Sequence, residues 1–337
     1  MIFALALGCT GNDTPTDDRP PVTTDDDPTD QTTTPPTDDD PTIDTSSSTT
    51  GVTGVTGDTG PGIDCSVLPP IPVQYQTLNQ FDTSEDFDLD GDGYLCSIDS
   101  GNLACQDLYG NRKLVSPNVS GSTAGTRILP TGDWVVNDVQ RGAVVRIDGL
   151  TGAQVQIATG LQYPNGLEVD RDSMVYVAEN SGARARQIDA YTMESWPIAT
   201  GLLQPNGVIL SPDGNTLYIG SFGGGIIYAI DRLGPHEWDE ERILYNPAGP
   251  DGGFDGINVD ACGNVYITEY TVGRVYRITP DGLNAELVVD LQAGWIPNMR
   301  WGHDIGGWNS SILYVTAWDR VYALDMQIPG KKHVLMP

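Results

Sequence analysis

Basic residues are scarce in this chain. Only 17 Lys and Arg stand against 46 Asp and Glu in 337 residues, a formal net charge of −29. Neutralising a nucleic-acid backbone needs dense Lys and Arg, so nucleic acid is not an expected partner. An acidic surface instead gathers cations and repels phosphates and anionic lipid. No apolar run reaches the roughly 18 residues of a membrane-spanning helix. No Cys-x-x-Cys spacing occurs, which argues against a structural zinc site. Apolar residues make up only 39%, low for a chain that folds throughout. With 40 Gly and 24 Pro, long uninterrupted helices are not expected either.

What is present begins with a short apolar run. Met1 to Cys9 reads MIFALALGC, with Gly8 before the cysteine. It resembles the truncated end of a bacterial lipoprotein signal peptide, with Cys9 as the lipidation site, although Leu7 and the missing basic segment depart from the pattern. From Thr10 to Asp64 the chain is almost only Thr, Asp, Pro, Ser and Gly, with 13 Asp and one Arg. Such a segment buries too little apolar area to offset the entropy of ordering. It is expected to be a disordered, self-repelling tether. Segments 1–9 and 10–64 thus predict an exported lipoprotein, held on a membrane surface only through its lipid.

Besides Cys9 there are four cysteines, an even number that suits an oxidising compartment. Cys96 and Cys105 flank a short turn and could bridge neighbouring strands, which would leave Cys65 with Cys262. Four cysteines allow three pairings, and spacing alone leaves them open.

Four segments repeat one pattern: YPNGLEVDRDSMVYVAEN, QPNGVILSPDGNTLYIGSF, GFDGINVDACGNVYITEY and IPNMRWGHDIGGWNSSILYVTAW. Each reads as a polar opening turn, a strand, a second turn and a strand rich in Val, Ile and Tyr. Two weaker copies start near Glu85 and Gly125. The six openings, Glu85, Gly125, Asn165, Asn206, Asp255 and Asn298, are 40, 40, 41, 49 and 43 residues apart. Four-stranded propeller blades have that period. The segment VQYQT at Val73 copies a fourth strand and is expected to complete the last blade, joining the two ends of the chain. The prediction is an all-β, six-bladed propeller over 65–337.

Equivalent positions of successive blades surround a propeller's axis, so the six openings should face one channel mouth. Two carboxylates and three amides offer hard oxygen ligands of the kind calcium takes. Asn-Gly and Asp-Gly are also plain turn formers. The motifs PNGLEVD, PNGVILSPDG and FDGINVDACGNVYITEY resemble the SMP-30/gluconolactonase/LRE-like family of six-bladed propellers, which includes regucalcin; calcium-dependent paraoxonases and diisopropylfluorophosphatases are related. The resemblance implies a divalent metal, calcium first, held by Glu85, Asn206 and Asp255, with Asn165 beside metal and substrate. Tyr163 stands where sugar-lactonase members carry Arg, and Glu85-Asp86-Phe87 replaces Glu-Gly-Pro.

Two functions fit. One is a calcium-dependent hydrolase of lactones or related esters, monomeric, with Asp255 catalytic and Asn165 and Asn298 on the substrate. The other is a non-enzymatic surface propeller with a structural calcium. His303, five residues after Asn298, could reach the mouth, although a lone His near a turn is more often structural. Asp88, Asp90, Asp92, Gly93 and Asp99 match an EF-hand loop pattern, but a hairpin turn explains them more simply.

Overall fold

The computed structural model describes residues 63–66, 68–81, 84–247 and 253–336. The expected signal segment, Cys9 and the tether up to residue 62 lie outside the described residues. The strands gather into six antiparallel sheets, and the protein is an all-β, six-bladed propeller. The innermost strands are Phe87–Leu89, Thr126–Ile128, Pro164–Val169, Pro205–Leu210, Phe254–Val259 and Met299–Trp301. Each touches the next around the axis, and that of blade six touches that of blade one. The long step of 49 residues after Asn206 holds an extra short strand, Glu237–Trp238, hairpinned onto Ile227–Gly234 in blade four.

Alternation along the second strand of each blade builds the body. In Met174–Glu179, Val175 and Val177 pack into one interblade cluster, while Tyr176 and Ala178 pack into the next. Leu217 and Ile219 repeat the division against Tyr218, as do Val265 and Ile267 against Tyr266. Successive strand residues point to opposite faces, and both faces of a blade are covered by neighbours. These strands are therefore apolar on both sides.

The ends of the chain meet in blade six. Its outer strand is Tyr75–Leu78, paired antiparallel with Val321–Leu324. The fourth-strand copy at Val73 forecast this pairing, short of its first two residues. Upstream, Ile63 and Leu68 pack on the cluster shared by blades five and six. A disulfide joins Cys65 to Cys262, in the first turn of blade five, across 197 residues of sequence. Cys96 and Cys105 form the other disulfide and are direct cross-strand partners in blade one. Of the three possible pairings, this one forms because the hairpin brings two of the four cysteines opposite each other.

The Cys65–Cys262 bond anchors the segment that leads into the closing strand. The variant Cys65→Ser/Cys262→Ser should lose about 2–5 kcal/mol of stability, because a long loop of the unfolded chain is released. A denaturant titration that shows an unchanged midpoint would contradict this role.

Candidate functional site

Asn165, Asn206 and Asp255 are the second residues of their innermost strands, and Asn298 immediately precedes its strand. All four are buried, at 4–7% exposure. The Asn-Gly and Asp-Gly pairs of blades three to five lie inside strands rather than in turns, correcting the turn expected from sequence. The ladder is irregular at each pair, between Pro164 and Leu167, Pro205 and Val208, and Phe254 and Ile257.

The glycines have a packing reason. A Cβ on Gly166 would drive into the carbonyl oxygen of Asn206, and one on Gly207 into that of Asp255. A Cβ on Gly256 would stand 2.5 Å from the Cα of Asn298, and one on Gly125 2.6 Å from the Cβ of Leu167 and 2.9 Å from the Asn165 carbonyl oxygen. Each glycine lets the next blade's polar residue come close, so Gly125, Asn165, Asn206, Asp255 and Asn298 are lateral neighbours at one end of the axis. Gly125 adds no side chain to the ring.

Glu85 completes it from blade one. Burial and the charge of Asp86 push the Glu85 carboxyl up to about 7. Asp255 is raised well above the usual carboxylate range by burial and then by Glu85 and Asp86, while a hydrogen bond from the Asn206 side chain opposes the shift. Among the described residues, neither Glu85 nor Asp255 has an ion-pair partner. Asn298 is placed differently: its Oδ1 already accepts the Met299 N–H at 2.9 Å, which leaves its amide NH₂ to donate. Aromatic side chains stand at the same end. Tyr163 and Tyr270 are raised by their own burial and by Glu85 and Asp255, Tyr270 to about 12. Tyr270 stacks edge-on with Trp295 at 5.2 Å between centroids, and Phe222 lies 6.0 Å from Tyr270. Tyr163 and Trp295 hold positive φ, 55° and 69°, a cost of about 1 kcal/mol or more for such residues.

The other end of the channel is built from residues that sequence reasoning did not assign. Asp86 is 1% exposed and accepts from the Arg127 guanidinium and the Thr126 N–H. Arg127 also faces Glu168, and Lys331 of the C-terminal tail pairs with Glu168. Burial alone would raise Asp88; His333, at 3.2 Å, and Arg127 hold its carboxyl below the usual range. The available signal was a charged residue within an otherwise buried strand, such as Glu168 in PNGLEV.

His303 does not reach the mouth. Its Nε2 lies 2.7 Å from the Asp90 carbonyl oxygen at the far end, and its ring sits edge-on to His333. The calcium-loop pattern at Asp88–Asp99 is a hairpin turn, in which Asp90 Oδ1 accepts from Asp92 N and Tyr94 N. Asp170 and Asp260 cap the equivalent turns of blades three and five in the same way. Lys113 occupies the other oxygen of Asp90 at 2.6 Å.

Comparison with known proteins follows the same geometry. Residues 192–318 match the SMP-30/Gluconolactonase/LRE-like region. The matched stretch holds Asn206, Asp255 and Asn298; Glu85 and Asn165 precede it. No curated protein matches the chain in sequence. A gluconolactonase from Xanthomonas campestris shares the fold with a TM-score of 0.62 at 19% identity, over 75% of this chain and 90% of its own. A luciferin-regenerating enzyme does so at 0.63 and 13% identity, over 78% and 99%. An auxiliary nutrient binding protein from Bacteroides ovatus does so at 0.58 and 14% identity, over 72% and 69%. At these identities the likeness is one of fold.

Two outcomes are expected. Gly207→Ala should cost at least ~2 kcal/mol through overpacking, whereas Gly91→Ala, whose new Cβ would meet its nearest atom at 3.8 Å, should cost little. Comparable melting temperatures for the two variants would contradict the crowding. The second outcome concerns Glu85. A raised carboxyl keeps its proton in the folded state while the unfolded chain releases it, so metal-free stability falls as pH rises from about 4.5 to about 7. Relative to the parent, Glu85→Gln should therefore gain nothing below that window and ~1–3 kcal/mol above it. An advantage that stays constant across the window, measured on metal-free protein, would show that Glu85 is not strained.

Proposed function

We infer that the chain is a divalent-cation-dependent hydrolase of lactones or related esters, with calcium the best-fitting ion. One observation carries the reading: two carboxyls without cationic partners, the half-buried Glu85 and the buried Asp255, gather with the amides of Asn165 and Asn206 at one channel mouth. Such a group is costly to leave unneutralised. An all-oxygen set with two acids suits a hard cation. The family match over 192–318 and the fold shared with a gluconolactonase support a lactonase-type activity.

Glu85, Asn206 and Asp255 would hold the ion, with Asn165 beside it. The bound cation would polarise the ester carbonyl and take the place of the protons that Glu85 and Asp255 otherwise keep. Asp255, steadied by the Asn206 side chain, is the residue placed to accept a proton from attacking water. Asn165 and Asn298 would orient substrate oxygen, Asn298 through its uncommitted NH₂. The exposed aromatic side chains around the mouth would offer a flat apolar wall. Tyr163, in place of the sugar-lactonase Arg, favours substrates with apolar groups over polyhydroxylated ones.

The second reading, a surface binding module with a structural calcium, is favoured by the fold shared with a nutrient binding protein. Both readings take the chain to be a monomer exported to an oxidising compartment and tethered through lipid on Cys9. The two disulfides agree with that location.

Asp255→Asn keeps the shape and an oxygen but removes the charge and the base. Calcium should raise the parent's melting temperature, and Asp255→Asn should lose most of that shift. Turnover of a lactone and aryl-ester panel should fall by about 10²-fold or more in this variant, the scale of a lost general base. Asn298→Ala should lose turnover with less effect on the calcium shift. A parent stabilised by calcium yet inert on the whole panel would favour the binding module. An Asp255→Asn variant that matches the parent in both assays would refute the site.

A further inference from the structure

A second concave site is lined by strongly basic side chains and is not at the mouth. It lies at the far end of the channel and has a volume of about 270 Å³. Six of the chain's 17 Lys and Arg line it: Arg127, Arg171, Arg232, Arg300, Lys331 and Lys332. That concentration is unexpected in a chain of net charge −29. The carboxylates of the wall are largely committed. Glu168 faces Lys331 and Arg127, Asp170 faces Arg232, Asp88 faces His333, and Asp213 accepts from Ser211 and Asn215. Asp172 is exposed. Among the described residues, Arg171 and Lys332 have no carboxylate partner.

Hydrogen-bond satisfaction points the same way. Four buried side-chain atoms on the lining residues lack a partner: Arg232 Nε, Arg300 Nε, Arg300 Nη2 and Trp301 Nε1. All four are N–H donors, and no lining residue carries a buried unpaired acceptor. Arg300 and Trp301 are each 5% exposed. The third nitrogen of Arg300, Nη1, donates to the Met299 carbonyl, and the nearest acid to Nη2 is Asp86 at 3.5 Å, outside hydrogen-bond geometry. A buried donor without an acceptor costs about 1–3 kcal/mol. These donors lie behind the wall and have no acceptor within the protein, and the six Lys and Arg side chains that line the cavity are the groups an acceptor-rich occupant would meet.

We propose that this cavity is a binding site for a small oxyanion, a carboxylate or phosphate group carried by a small molecule. Arg300, 5% exposed, lines the cavity and supplies a fixed positive charge to such a group. The volume, at the lower end for ligand sites, limits the ligand to a small one. The C-terminal tail crosses this end: Lys331 N donates to Val259 O, Lys331 Nζ reaches Leu210 O, and Val334 packs on two interblade clusters. Lys332 and Arg171, both exposed, mark the rim through which an anion is drawn in. The site is separate from the mouth and does not depend on the hydrolase reading.

Calorimetry on the full chain tests it, after passage over a chelating resin so that no metal at the mouth contributes. The probes are inorganic phosphate and 4-hydroxybutyrate, at ionic strength fixed with potassium chloride. At least one should bind saturably at one site, and the pattern identifies the oxyanion. Arg300→Gln should weaken binding about tenfold or more, the scale of a lost charged hydrogen bond. Lys332→Glu, on the exposed rim, should weaken it several-fold and carries the test if Arg300→Gln does not fold. No saturable binding of either probe by the parent would mean that water alone occupies the cavity, and would overturn the proposal. Unchanged affinity in every folded variant would overturn it equally.

Discussion

Six strands converge on one axis, and at the mouth their backbones come too close for ordinary side chains between them. The glycine after each polar opening residue in blades three to five, and Gly125 in blade two, meet that constraint. Without them the Asn206 and Asp255 carbonyls could not approach the preceding strand. The same approach presses the opening residues together. Amides tolerate such crowding because they can donate to an adjacent acid, as Asn206 does to Asp255. Two acids do not, and their strain appears as raised carboxyls, Glu85 to about 7 and Asp255 well above the usual range.

The channel resolves its charges differently at its two ends. Deeper in the channel, Asp88 and Glu168 are answered by His333 and Lys331, while Asp86, although Arg127 faces it, is still pushed up to about 7 by its burial. At the mouth no side-chain cation answers Glu85 and Asp255 among the described residues. A protein that could place Arg127 against Asp86 could have placed a cation against Asp255 as well. Acids left unpaired in this way weaken a fold, so Glu85 and Asp255 add no stability unless they are neutralised. The far end shows the complementary surplus, N–H donors without acceptors.

Much of this was legible in the sequence, for physical reasons that also set its limits. Blade count and order followed from the six openings at about 40-residue steps, and ring closure from the fourth-strand copy at Val73. The opening residues were recognisable because Asn or Asp recurs in register. Their setting was misread as a turn, since Asn-Gly has the same signature in a turn and in a crowded, bulged strand. His303 was assigned a reach that chain proximity to Asn298 suggested; a strand of three residues carries it to the opposite end. The inner charges escaped because their partners are remote in sequence: 41 residues separate Asp86 from Arg127, 163 separate Glu168 from Lys331 and 245 separate Asp88 from His333. No local pattern announces such a pairing.

The mouth's surroundings bear on which chemistry its acids serve. A site that only needs a bracing ion has no use for exposed aromatic rings held at positive φ, because both exposure and strain act against stability. Tyr163, Trp295 and Trp318 are 43–58% exposed, and all three have positive φ. Tyr163 lies close enough to Glu85 and Asp255 to feel their charge. Tyr270, edge-on to Trp295, feels it too. On the proposed function, exposed aromatics beside these two acids would suit a ligand with an apolar face and an oxygen-bearing head. In that reading the acids would act at the head while the rings would select the body.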